Sequence, residues 1–151
     1  MKRARSEIDS AIILLESSLS KKILRKFEID EDSTFYSGAI SHSYYCIFYC
    51  AKAMLLTKNI KTGPPNIHVR TFWNFKRYFV DTGLFDSKLL ELYRNMALKA
   101  EILLELYKEE KNKRGKFTYN TIPQANRSPA EESIKNAKLF FKHCNAYMMN
   151  I

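Results

Sequence analysis

Residues 35–58, FYSGAISHSYYCIFYCAKAMLLTK, decide the fold. The stretch holds one Gly, no Pro, and only Lys52 and Lys58 as charged side chains. Wound at about 100° per residue, it shows three faces where an ordinary surface helix shows two. Tyr36, Ile40, Tyr44, Ile47, Phe48, Ala51 and Leu55 form a bulky core face. Ala39, Ser43, Cys46, Cys50, Ala53 and Thr57 form a stripe of small residues that lets a neighbouring helix come close. His42, Tyr45, Tyr49, Lys52 and Leu56 form a third, aromatic stripe. A helix apolar around so much of its circumference must be surrounded by others, so this is the central helix. Tyr45 and Tyr49 are then candidates for a contact with a second subunit.

Outward from it, the chain reads as further helices. Ile8, Ala11, Ile12, Leu15, Leu19, Ile23 and Phe27 recur at helical steps and predict one amphipathic helix from about Ser6 to Phe27. The polar run 28–34 connects it to the central helix, with Ser33 or Thr34 as N-cap. Lys61-Thr-Gly-Pro-Pro65 is the clearest loop signal. A third helix, about Asn66 to Asp81, carries Ile67, Phe72, Phe75 and Phe79 inward and stops at Gly83. Asp86 or Ser87 caps a fourth, running to about Lys113 with Leu89, Leu92, Tyr93, Met96, Ala100, Leu103, Leu104 and Tyr107 inward. Residues 115–127 form a loop, and Ser128-Pro-Ala-Glu131 has the form of a capping box that starts the last helix. The fold class expected is all-α, an antiparallel four- to five-helix up-and-down bundle, formed as one domain over residues 1–151. With four Gly and four Pro, the chain is poor in the turn residues that an all-β fold needs.

The charge narrows the partners. Lys and Arg number 25 against 16 Asp and Glu, a formal net charge of +9, which favours RNA, a nucleotide or another polyanion. No run resembles a signal peptide or a membrane span, and three cysteines without a framework pattern suit a reducing compartment, so a cytoplasmic protein with no membrane association is expected.

Several arrangements in the sequence could carry chemistry. His42, Cys46 and Cys50 at four-residue steps, with His143 and Cys144, could suggest zinc, but His42 lies on a different stripe from the cysteines, and buried cysteines are more often small core residues. No metal and no cofactor is expected. Glu101, Glu105, Glu109 and Glu110 read as a solvated outer face. His68, at the start of the third helix, could exchange protons near neutral pH, or simply make a structural hydrogen bond. In Lys113-Arg-Gly-Lys-Phe-Thr-Tyr119, the Arg114 guanidinium can grip phosphate while Lys113 and Lys116 add field, and the Tyr119 hydroxyl can hold a base or relay a proton.

Taken together, the segments 37–48, 66–83 and 114–140 resemble the HEPN domains (higher eukaryotes and prokaryotes nucleotide-binding), in particular their small stand-alone archaeal and bacterial members. The resemblance runs from about Thr34 to Phe141. It is carried by the Tyr44–Tyr45 pair with Phe48, by Asn66-Ile-His68 followed by Phe75 and 79–83, and by Arg114 with Tyr119 followed by 130–137 and Phe140. It implies a four- or five-helix bundle, commonly a homodimer, that binds RNA or nucleotides. In many relatives an Arg followed four to six residues later by His forms a metal-independent ribonuclease site across the dimer, and some are toxins paired with a small nucleotidyltransferase. Arg114 matches that Arg. Tyr119 stands where the His belongs, and a phenol with pKa about 10 exchanges protons poorly near neutrality. Arg94-Asn95 is a second Arg-polar pair, again with no His after it. The expectation is therefore a nucleotide- or RNA-binding half of a toxin–antitoxin-like pair, with Lys113, Arg114, Lys116 and His68 in the binding site and a nucleotidyltransferase-family partner. The alternatives are a ribonuclease using Arg114 with Tyr119 or His68, and a non-catalytic dimeric assembly module.

Overall fold

Eleven of the 22 residues of the helix Tyr36–Thr57 are buried, and every other long helix packs against it. The computed structural model describes residues 1–113 and 127–150, with side chains of the first stretch described through Ile102. The described residues form an all-α bundle. Its helices are α1 (Lys2–Leu19), α2 (Lys21–Lys26), α3 (Tyr36–Thr57), α4 (Ile67–Phe75, continuing through a wider π-helical turn at Lys76–Val80), α5 (Ser87–Lys113) and α6 (Arg127–Met149). No described helix is long and apolar enough to cross a membrane.

The central helix is α3, as its three faces require. Its small stripe faces its closest neighbours: Ala39, Ser43, Cys46 and Cys50 are completely buried, and α3 packs most extensively on α1 and α6. At Gly38 a Cβ would lie only 3.0 Å from Leu14 Cδ1 of α1, so the absence of a side chain there helps to set the spacing of the two helices. Met54, which none of the three stripes included, is also fully buried.

The single helix expected over Ser6–Phe27 is instead two, and it begins earlier, at Lys2. Ser20 adopts an extended conformation (φ −124°, ψ 98°), and its hydroxyl accepts from the Ile23 N–H as the N-cap of α2. This break resets the phase of the helix. Leu24 turns into the core, while Leu19 and Phe27, expected inward, are exposed. The cap of α3 also differs from the expected Ser33 or Thr34. Phe35 occupies the position, and its N–H donates to Ser18 Oγ at 2.7 Å, so a serine 17 residues earlier satisfies a group that a local cap would normally serve.

At Gly83 and Asp86 the local signals act as read. Gly83 takes a positive φ of 74° just beyond α4, the left-handed conformation that favours glycine. Asp86 Oδ1 accepts from the Lys88 N–H at 2.8 Å and caps α5. The last helix starts at Arg127, one residue before the Ser128 expected as its cap. Glu131, expected to close that capping box, pairs with Arg127 at 2.7 Å instead. Phe75, Phe79 and Phe140 are fully buried and Phe85 and Tyr93 nearly so, an aromatic cluster that ties α4, α5 and α6 together.

Candidate functional site

The loop from Lys58 to Asn66 delivers His68. Thr71 Oγ1, within α4, donates to the Ile67 carbonyl and meets Thr62 Oγ1, each at 2.7 Å, and Arg70 reaches the Gly63 carbonyl at 3.3 Å. The loop is thereby fastened onto the first turns of α4, and Asn66 enters them in the left-handed conformation, φ 58°.

His68 stands in a cleft of about 380 Å³ between α3, α4 and α5. From α3 come Ser41, Tyr44 and Tyr45; from α4 His68, Phe72 and Trp73; from α5 Tyr93, Arg94 and Glu101. The Tyr44 hydroxyl lies 2.8 Å from His68 Nδ1. Phe48 packs on the imidazole with ring centroids 4.3 Å apart, and Tyr45 flanks it at 6.1 Å. Val69, Trp73 and Leu98 leave an apolar rim, each more than half exposed. The Tyr93 hydroxyl is buried and, among the described residues, has no hydrogen-bond partner.

The environment fixes the protonation of the Tyr44–His68 pair. Burial, followed by the Tyr45 hydroxyl and the Glu101 carboxylate, pushes the Tyr44 phenol up to about 12. Partial burial, followed by the positive charge of Lys52, lowers His68. Near neutrality Tyr44 keeps its proton and the imidazole is neutral. The 2.8 Å contact is then made either by the phenolic O–H donating to Nδ1, with the single ring proton of His68 on Nε2, or by Nδ1–H donating to the phenol oxygen.

A pH dependence follows. At high pH His68 is neutral in both the folded and the unfolded chain. As the pH falls through 6.5, its ordinary value, the unfolded chain takes up a proton that the folded one resists, so stability declines until the lowered folded value is reached. Urea unfolding between pH 7.5 and 5 is expected to show this decline, and His68→Asn to remove the part due to this residue. An unchanged acid slope in the variant would contradict the assignment.

The structure distributes the residues named from sequence as follows. His68 is in the cleft, and its expected structural hydrogen bond is the one to Tyr44. Tyr45 lines the same cleft, whereas Tyr49 lies under the Arg3 guanidinium, 5.3 Å from the ring centroid. Lys113 is the last residue of α5 and its side chain lies outside the described residues, as do Arg114, Lys116 and Tyr119. Three cleft residues read otherwise in the sequence: Tyr44 as core, Glu101 as solvated face, and Arg94 as part of an Arg-polar pair with no His after it. The signal that groups the latter two is their seven-residue spacing on α5, which puts both on one side of the helix.

The cysteines are thiols of the core. Hydrogen bonding to Cys50, then burial, raises the Cys46 thiol, and hydrogen bonding to Cys144, then burial, raises Cys50. His42 Nδ1 instead meets Glu7 Oε2 at 2.7 Å, and Arg3 pairs with the other oxygen of this nearly buried carboxylate at 2.8 Å. No group of three or more His, Cys, Asp or Glu suited to a metal occurs among the described residues.

Comparison with known proteins agrees with the bundle. Two proteins of Methanocaldococcus jannaschii are similar along much of their length. The one named "Putative toxin MJ0605" is 34% identical over 140 residues, covering 92% of this chain and 87% of its own. The one named "Putative toxin MJ0142" is 34% identical over 114 residues, covering 72% of this chain and 71% of its own. No solved structure gives a match. The family model described as the HEPN domain matches residues 19–147, a span that holds α3, α4, α5 and therefore the whole cleft, and the chain belongs to the HEPN domain family.

Proposed function

We propose that this protein is the HEPN half of a toxin–antitoxin-like pair and binds RNA or a nucleotide in the cleft between α3, α4 and α5. The observation that carries the reading is the convergence of a cation, Arg94, a neutral imidazole, His68, and aromatic walls from three helices in one cleft. Aromatic faces stack on bases, and a guanidinium holds phosphate. The formal charge of +9 suits a polyanion, and both similar proteins carry toxin names. Lys113, Arg114 and Lys116 follow Arg94 along the chain and extend the phosphate contacts. The working form is a homodimer, with Tyr45 and Tyr49 near the contact, and the partner is a nucleotidyltransferase-family protein in the same cytoplasm.

Binding of a fluorescein-labelled single-stranded RNA, followed by polarisation, tests the reading. Arg94→Ala and Arg114→Ala are each expected to weaken binding about tenfold, and to reduce the slope of log K against log salt by roughly one phosphate contact. Unchanged affinity and slope in both variants would contradict it.

A second reading is favoured by the place of His68 beside Arg94. It is a metal-independent ribonuclease in which Arg114 holds the phosphate and His68 or Tyr119 carries the proton. Cleavage of RNA in EDTA that is lost in His68→Asn and Arg114→Ala supports it, and no cleavage in EDTA ends it.

A further inference from the structure

The cleft does more than offer aromatic faces. Its polar groups form a directional pattern, set by the Tyr44–His68 pair on one side and Glu101 on the other. The Tyr44 hydroxyl lies 2.8 Å from His68 Nδ1. When the phenolic O–H donates to Nδ1, the other imidazole nitrogen, Nε2, bears the ring proton and donates. Among the described residues no hydrogen bond involves Nε2. The Glu101 carboxylate lines the same cleft and only accepts. Phe48 at 4.3 Å and Tyr45 at 6.1 Å hold the imidazole in place between rings.

We propose that the Tyr44 O–H donates to Nδ1 and that the resulting Nε2–H, together with Glu101, reads the oxo edge of a nucleobase, so that the cleft selects guanine or uracil over adenine or cytosine. The proposal rests on the nucleotide reading above. Guanine and uracil each present a carbonyl oxygen beside a ring N–H. The carbonyl accepts from His68 Nε2–H, and the ring N–H donates to Glu101. Adenine and cytosine present the reverse, an amino group beside an unprotonated ring nitrogen. Against this site they would set donor against donor and acceptor against acceptor, and leave both protein groups unsatisfied. The discrimination depends on the tautomer: a His68 with Nε2 unprotonated would accept from an amino group and remove it. Tyr44 is thus a positioning residue, acting on the base through His68. A cleft of about 380 Å³ has room for either a purine or a pyrimidine ring, and Arg94 is placed to meet a phosphate.

The test is calorimetric binding of GMP, UMP, AMP and CMP to the full chain at pH 7.5. GMP and UMP are expected to bind at least about tenfold more tightly than AMP and CMP, the scale of one well-formed pair of base contacts. Glu101→Gln, an exposed substitution whose amide can donate or accept, is expected to bring the four within about threefold. Nitrogen-15 NMR of the imidazole gives a readout apart from affinity: the wild type should show the Nε2–H tautomer, and Tyr44→Phe a mixture. Equal binding of all four nucleotides overturns the oxo-edge inference but leaves the nucleotide reading standing. Binding of none of them overturns both. Preference for AMP and CMP, or an Nδ1–H tautomer in the wild type, overturns the assignment of the donor.

Discussion

Phe75→Ala is expected to lower the unfolding free energy by about 3–5 kcal/mol, as for large aromatic truncations in well-packed cores. Phe75 is completely buried. Its ring lies 5.5 Å from Phe79, 5.8 Å from Phe85, 6.2 Å from Tyr93 and 5.5 Å from Phe140. Those neighbours come from the π-helical end of α4, the connection to α5, α5 itself and α6, so removing one ring leaves a cavity with four fixed walls that cannot all collapse into it. Chains of this size are stable by about 5–15 kcal/mol in total, so the loss is a large part of the whole. Thermal unfolding should fall on the order of 10 °C. The same ring adjoins Tyr93, which lines the cleft, so RNA affinity should fall with it. A loss below about 1 kcal/mol would mean that the aromatic cluster is looser than its contacts indicate.

The second large effect comes from adding bulk. Ala39→Leu should destabilise by about 1–3 kcal/mol, the usual cost of overpacking. Ala39 is completely buried on the small stripe of α3, next to Gly38, where a Cβ would already come within 3.0 Å of Leu14. With no room for the larger side chain, a neighbouring helix must move outward or the leucine must leave its rotamer. Leu56→Ala, on the same helix but 52% exposed, serves as the control and should change stability by about 0.5 kcal/mol or less. Denaturation curves for the two variants check both. Equal effects would show that the close packing of α3 on its neighbours is not set by small side chains.

These two predictions mark what could be read from the chain. The bundle and its central helix were legible because periodicity reports burial directly: a helix with three non-polar faces has to be enclosed, whatever surrounds it. The break at Ser20 was not legible. Neither Gly nor Pro marks it, and apolar residues recur at helical spacing straight through it, so only the three-dimensional capping of Ile23 by Ser20 reveals that Leu24 replaces Phe27 in the core. The cap of α3 was missed for a related reason, since Ser18 supplies it from another helix.

The cleft was half legible. His68 was singled out by its chemistry, but its partner Tyr44 sits on a face that periodicity assigns to core, and burial by itself does not distinguish a packed phenol from one that orients an imidazole. Glu101 reads as an outer residue because its helix continues with Glu105 and Glu109 at the same spacing, while the depth of the cleft beside it depends on where α3 and α4 lie. The resemblance leads first to Arg114, and the geometry brings into the cleft Arg94, which the sequence marks only as a second Arg-polar pair with no His after it.

The single tryptophan of the chain, Trp73, lines the cleft and is 58% exposed, so its fluorescence reports on the cleft alone. Titration with a short single-stranded RNA should quench or shift that emission saturably, with the same midpoint as polarisation of the labelled RNA, and Arg94→Ala should move both midpoints together. RNA binding by polarisation with no change in Trp73 emission would place the ligand elsewhere on the protein and contradict the cleft as its site.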